Sequence, residues 1–130
     1  MLRFSSTLDN KGETLIIIKT DKNYKFGAYT PLNWVTPSSG EVNDPKDELT
    51  FLFSLDKKQK FTKIPGKNPT TARSNKDYGP LFGYGTDLCM NQNMKNGWSK
   101  NETFLTNLEL TNGENRFIIN EMEIFQVFKI

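Results

Sequence analysis

Histidine is missing from this 130-residue chain, and cysteine occurs once, at Cys89. Without histidine the chain cannot supply a Ser-His-Asp triad, a Cys-His dyad, a His-ligated zinc site or a histidine pH switch. A single cysteine cannot form an internal disulfide, which is typical of proteins in a reducing compartment. The sequence therefore points away from the hydrolases and zinc enzymes that depend on these side chains.

Long apolar runs are also absent from the chain. No stretch approaches the roughly 20 consecutive apolar residues that a membrane-spanning helix needs, so we expect no membrane insertion. Residues 1–6 are followed by polar residues instead of an apolar stretch and a small-residue cleavage site, which argues against a signal peptide. Because domains typically contain about 100–150 residues, we expect residues 1–130 to form a single soluble domain in the cytoplasm.

Positive charge is concentrated in one segment, although the net charge is only +2. Residues 57–76 contain seven lysine and arginine side chains and no acidic one. Such a block is either a solvated loop or a surface that attracts an acidic partner. It contains one aromatic residue, Phe61, and no Arg-Gly or RNP-type pattern, so we expect no specific nucleic-acid binding.

The remaining pattern is that of short β-strands. Residues 14–19 are mostly apolar and β-branched, and period-2 alternation marks residues 24–30, 59–64 and 121–130. A further strand carries four large apolar side chains on one face, which we expect to pack on the core: Leu49, Phe51, Phe53 and Leu55. The pattern predicts a mostly-β fold in which two antiparallel sheets pack face to face as a sandwich.

Turns and loops are predicted between these strands. Asn96-Gly97, with Trp98 beside it, and Asn112-Gly113 are typical of tight turns. Residues 31–47 and 65–80 are rich in proline, glycine and polar residues, so we expect two long loops there. Residues 104–108 fit either a strand or a helical turn.

The segment at residues 79–88 is rich in glycine, but it matches neither of the two common glycine-rich motifs that bind phosphate. A Walker loop needs Gly-Lys-Ser/Thr after its spacer, and the dinucleotide fingerprint needs Gly-x-Gly-x-x-Gly between a strand and a helix. We interpret the segment as backbone that passes between large aromatic side chains. In this interpretation Gly83 and Gly85 relieve crowding while Phe82 packs inward.

Three further groups of residues are weak candidates for a catalytic or metal-binding site. Cys89 has no adjacent cation that would activate its thiol, so we expect it to be buried and inert. Glu121 and Glu123 are expected to form a solvated stripe and not an acid–base pair. The acidic residues between 44 and 48 lack the spacing of a calcium loop. No catalytic residue, metal or cofactor is therefore predicted, and a thiol antioxidant that uses Cys89 is the enzymatic alternative.

Several segments occur in the order and rough spacing of a known domain: FGAYT at residues 26–30 followed by Trp34, FLFSL at 51–55, GPLFGYGTDL at 79–88 and EMEIFQV at 121–127. Together with the lead-in DNKGETL at residues 9–15, they resemble the TLDc domain. That domain occurs in the oxidation-resistance proteins, in nuclear-receptor coactivator seven and in TBC-domain relatives.

The chain also departs from the family pattern. Only residues 1–8 precede the lead-in, where TLDc domains usually have a helical segment, so we expect a single TLDc-like domain that lacks this segment. Thr86 stands where many members carry histidine, and Tyr84 occupies a position that is often glycine.

The resemblance implies a β-sandwich with a few short helices and long loops, without catalytic machinery. It also implies an adaptor that binds the peripheral part of the vacuolar proton-pumping ATPase and is linked to oxidative-stress resistance, located in the cytoplasm near the endomembrane ATPase. The alternative is a structural subunit of a cytoskeletal or ciliary (axonemal) complex, with microtubule-associated proteins as partners.

The resemblance also selects candidate structural or interaction residues. Six of them are expected to shape the central loop: Gly79, Pro80, Phe82, Gly83, Gly85 and Asp87. Three more are expected to fix the last strand: Glu121, Glu123 and Phe125.

Overall fold

A computed structural model describes residues 12–31, 41–44, 49–64, 72–75, 78–83, 87–91, 93–100, 104 and 109–128. Within these ranges the chain forms strands and no helix. The strands are β1 (Thr14–Thr20), β2 (Lys25–Thr30), β3 (Glu41–Asp44), β4 (Phe51–Ser54), β5 (Gln59–Thr62), β6 (Ala72–Asn75), β7 (Tyr78–Phe82), β8 (Leu88–Asn91), β9 (Asn96–Trp98) and β10 (Arg116–Gln126). No helix in the described residues could span a membrane.

The described strands form one hydrogen-bonded sheet in the order β3-β6-β7-β8-β9-β10-β1-β2-β4-β5, and every pairing is antiparallel. β10 joins the two halves, because residues 116–118 pair with β9 and residues 119–126 pair with β1. The predicted mostly-β, antiparallel architecture is confirmed. The separation into two stacked sheets and the short helices are not confirmed among the described residues.

One face of this sheet forms the core. Buried side chains of β1, β2, β4 and β5 share a single apolar cluster with those of β7, β8 and β10. Phe26 of β2 and Phe117 of β10 meet edge to face, with ring centroids 5.0 Å apart and ring planes at 83°. Because strands from both halves reach one cluster, the sheet must curl around it.

The face of β4 that packs on the core is the opposite of the predicted one. Thr50, Leu52 and Ser54 are buried, whereas Leu49 is 65% exposed and Leu55 is 47% exposed. The polar inward residues tolerate burial because they are hydrogen-bonded: the hydroxyls of Thr50 and Thr30 lie 2.8 Å apart. The other two residues expected on the core, Phe51 and Phe53, are half-buried on the outer face.

Both predicted long loops contain strands. β3 lies within residues 31–47, and β6 and the start of β7 lie within residues 65–80. EVND of β3 and ARSN of β6 each have one apolar residue, so neither shows the alternation that predicts a strand. Their mutual pairing, with Glu41 opposite Asn75 and Asp44 opposite Ala72, supplies the backbone hydrogen bonds that hold both as strands.

One turn prediction is confirmed and the other is wrong. Asn112 and Gly113 both have positive φ in the turn before β10, at 54° and 88°. Asn96 and Gly97 belong to strand β9 instead. The chain reverses just before them, where Met94 adopts φ 60° and its N–H donates to the Asn91 carbonyl at 2.9 Å. Residues 105–108 lie outside the described residues.

Candidate interaction surface

The turn between β7 and β8 contains a buried carboxylate. Asp87 is fully buried, and its Oδ2 accepts a hydrogen bond from the Phe104 N–H at 2.8 Å. The Asp87 carbonyl accepts a second one from the Ser99 hydroxyl at 2.6 Å. Gly83 lies against this carboxylate with φ +83°, and a Cβ at Gly83 would be 2.0 Å from Asp87 Oδ1. These contacts connect the turn to the chain that follows β9.

Of the six candidate loop residues, Gly83 and Asp87 lie in this turn, whereas the other three that the structure describes belong to strand β7 and not to a loop. Phe82 is fully buried in the core directly before Gly83. Gly79 and Pro80 belong to the same strand, β7. Gly85 lies outside the described residues.

The three candidate residues of the last strand lie on the outer face, in the other half of the sheet. Glu121, Glu123 and Phe125 face Lys19, Ile17 and Leu15 of β1, respectively, in the antiparallel register. Both glutamates are exposed, and Phe125 is 43% exposed. The structure therefore does not bring the two groups of candidate residues into one site.

An apolar surface covers the outer face of β10, β1, β2 and β4. Directly opposed residues of an antiparallel pair lie on the same side of the sheet. The register therefore aligns Phe125, Leu15, Tyr29 and Phe51 across four strands, with Ile17 and Phe53 in the adjacent row. We call these six residues the outer apolar face.

The aromatic members of the outer apolar face pack against one another. The ring centroids of Tyr29 and Phe51 are 5.2 Å apart, and those of Phe51 and Phe53 are 6.1 Å apart. The Tyr29 hydroxyl donates a hydrogen bond to the Glu13 carboxylate. Lys60 of β5 places its Nζ 4.3 Å from the centre of the Phe51 ring, a cation–π contact. These contacts hold the aromatic side chains in place on the sheet.

Opposite charges border this face. Glu121 and Glu123 lie along β10 on one side of the face. Lys60 of β5 lies on the other side, and Lys57 and Lys58 lie in the adjoining β4–β5 turn. All five side chains are exposed. An apolar centre with a charged rim is the usual anatomy of a protein-binding surface.

Sequence reasoning missed this surface because it assigned Phe51 and Phe53 to the core. Both faces of residues 49–55 carry apolar side chains, so the alternation alone does not say which face is buried. The neighbouring lysines at residues 57–60 were the available signal, because charged rims accompany exposed faces more often than buried ones.

The described residues contain no grouped metal ligands and one thiol, which is buried. No three His, Cys, Asp or Glu side chains there are grouped so as to hold a metal ion. Cys89 is fully buried, as predicted, and its Sγ lies 3.7 Å from the Met90 carbonyl oxygen. Hydrogen bonding and the charge of Glu114 raise the pKa of Lys22 above its usual value, but both side chains are at the surface and form an ordinary ion pair.

Comparison with known proteins identifies the family to which this chain belongs. No curated protein matches this sequence by direct comparison. The sequence profile of the TLDc domain, however, matches residues 1–128, which is nearly the whole chain. The resemblance noted in the sequence is therefore confirmed, and the chain belongs to the TLDc domain family.

Proposed function

We propose that this protein is a non-catalytic interaction module that binds a large protein assembly through its outer apolar face. The proposed assembly is the peripheral part of the vacuolar proton-pumping ATPase, and the proposed cellular role is resistance to oxidative stress. The module would act in the cytoplasm near endomembranes, without a cofactor. TLDc membership supports the link to oxidation resistance.

The observation that carries this proposal is the outer apolar face itself. Aromatic side chains such as Phe51 and Phe53 lie half-buried on it, and Phe125 is 43% exposed. A contiguous apolar patch with a polar rim on a small domain favours a binding role. The burial of Cys89 also favours a binder over a thiol antioxidant, because oxidants reach exposed thiolates first.

The proposal is tested by affinity purification of the tagged chain from its own cells, with mass spectrometry of the bound proteins. The variant Phe125→Asp places a charge on the outer apolar face, and we expect at least about a 10-fold loss of the recovered peripheral ATPase subunits, as for an interface anchor. Phe128→Asp is the matched control, since Phe128 is 74% exposed and follows the end of β10.

The pattern of recovery decides between the alternatives. ATPase subunits recovered with wild type and Phe128→Asp, but lost with Phe125→Asp, support the proposal. Equal recovery with all three chains contradicts the role of the outer apolar face. Recovery of tubulin and axonemal proteins in place of ATPase subunits indicates a structural subunit of a cytoskeletal or ciliary complex.

A further inference from the structure

A groove runs along the surface of β9 and the start of β10, in the other half of the sheet from the outer apolar face. It consists of two adjoining hollows of about 450 and 480 Å³ that share Trp98 and Arg116. The first hollow continues toward Asn96, Ile118 and the turn after β1, and the second toward Lys100. Each volume is in the range of a ligand-binding cleft.

The register explains why these side chains meet. Trp98 is the direct partner of Arg116, and Asn96 is the direct partner of Ile118. Opposed residues lie on the same side of an antiparallel pair, so all four side chains face the groove. Phe117, between Arg116 and Ile118, points the other way and is buried in the core. The floor of the groove is therefore held in place by the core packing beneath it.

The charge along the groove is mainly positive. Lys22, at one end, is paired with Glu114, and Asp21 is beside it. Arg116 and Lys100 are exposed, and neither has an ion pair among the described residues. A ligand that brings carboxylates to these two cations would gain charge-assisted hydrogen bonds.

The groove also has an apolar part. Ile118 is 57% exposed, and Trp98 is half-buried. Both side chains line the first hollow, so a ligand bound there would contact apolar surface. Tryptophan and arginine are also the residues most enriched among the energetically dominant residues of protein interfaces. The groove therefore suits a ligand with an apolar side chain beside an acidic one.

We propose that this groove is a second binding site, which takes an extended peptide segment with acidic residues next to an apolar residue. Its apolar side chain would contact Trp98 and Ile118, and its carboxylates would bind Arg116 and Lys100. Single-stranded nucleic acid fits less well, because it needs successive aromatic side chains for stacking, whereas the groove exposes one such side chain, Trp98, among the described residues and carries Asp21 at one end.

The test is a selection from a random peptide library displayed on phage, with the full chain immobilised. We expect enrichment of sequences that have aspartate or glutamate beside a leucine, isoleucine or phenylalanine. The affinity of the enriched peptides is then measured by fluorescence anisotropy. It should fall as the salt concentration rises from about 0.05 to about 0.5 M, because exposed charges are screened.

Two variants locate the binding. Arg116→Glu should weaken peptide binding at least about 10-fold, the loss expected for a hydrogen bond between charged groups. Lys57→Glu makes the same change of charge at an exposed residue of the β4–β5 turn and should leave the affinity within about 2-fold. Thermal unfolding of both variants should match wild type, since both side chains are exposed.

Three results would overturn the proposal. They are enrichment of peptides without acidic residues, equal weakening by Arg116→Glu and Lys57→Glu, or tighter binding of single-stranded oligonucleotides than of any selected peptide. Phe125→Asp should keep full peptide binding, so failure of this site is distinguishable from failure of the outer apolar face.

Discussion

At the scale of single residues, the turn between β7 and β8 leaves little room for substitution. Gly83 has φ +83° and leaves no space for a Cβ beside the Asp87 carboxylate. The Asp87 carboxylate accepts a hydrogen bond from the Phe104 N–H, so movement of the carboxylate to make room would break this buried bond. Substitution of Gly83 therefore has two independent costs, which are backbone strain and displacement of a buried hydrogen-bond acceptor.

We predict that Gly83→Val lowers the free energy of unfolding by roughly 2–4 kcal/mol, from left-handed strain and overpacking together. Gly113→Val is the control, because Gly113 has a similar φ of +88° but nothing within 4 Å of its Cβ position. That control should lose only about 1–2 kcal/mol, the strain alone. Urea unfolding followed by circular dichroism measures both, and equal losses would show that the contact with Asp87 does not matter.

At the scale of the strand, β4 shows what a single sequence pattern can and cannot decide. The alternation over residues 49–55 correctly predicted a strand, which the structure places at residues 51–54. It did not decide which side faces the core, because that depends on the neighbouring strands. Leu52 is inward because it is paired with Ala28 of β2 and Phe61 of β5, and such long-range pairing leaves no mark within the segment itself.

A pair of leucines tests this orientation. Leu52→Ala should lower the free energy of unfolding by about 2–5 kcal/mol, because Leu52 is fully buried and its loss leaves a cavity. Leu55→Ala, one residue beyond the end of β4 and 47% exposed, should change it by about 0.5 kcal/mol or less. Chemical unfolding of the two variants under the same conditions gives the comparison. A larger loss for Leu55→Ala would mean that the core lies on the other side of β4.

The strands differ in how well the sequence predicts them, as β3, β6 and the terminal strand β10 show. The alternation over residues 121–130 predicted a terminal strand, which the structure places at residues 116–126. β3 and β6 were not predictable, because each is four residues long with little apolar content. β3 pairs with β6, which also pairs with β7, and this pairing leaves no pattern in either segment. The candidate loop residues Gly83 and Asp87 lie together in the turn, but the bond from Asp87 to Phe104 spans 17 residues and has no local signature.

At the scale of the whole molecule, one ion pair joins distant parts of the sequence. Lys22, in the turn after β1, pairs with Glu114, just before β10, 92 residues away. Glu114 raises the pKa of Lys22 from 10.5 by hydrogen bonding and charge. A raised lysine pKa stabilises the folded state at pH values below the unfolded pKa, and this contribution is lost as the pH rises through the folded pKa.

The pair predicts a defined pH dependence. Relative to wild type, Glu114→Gln should be less stable by a constant amount between pH 7 and about 10. The difference should shrink as the pH rises above 10.5, the ordinary pKa of lysine. Chemical unfolding of both proteins over this range measures it, and lower salt should enlarge the difference. A gap that widens above that pH would contradict the assignment of the proton to Lys22.

The position of β10 in the sheet also affects when the sheet can complete its folding. Among the described strands, β10 provides the hydrogen-bonded link between the β1 half and the β9 half, yet it follows the other nine in sequence. A growing chain therefore exposes the edges of β1 and β9 to solvent until β10 emerges. Because pairing of β1 with β10 closes a very long loop, folding of this sheet should be slow and should reach completion late.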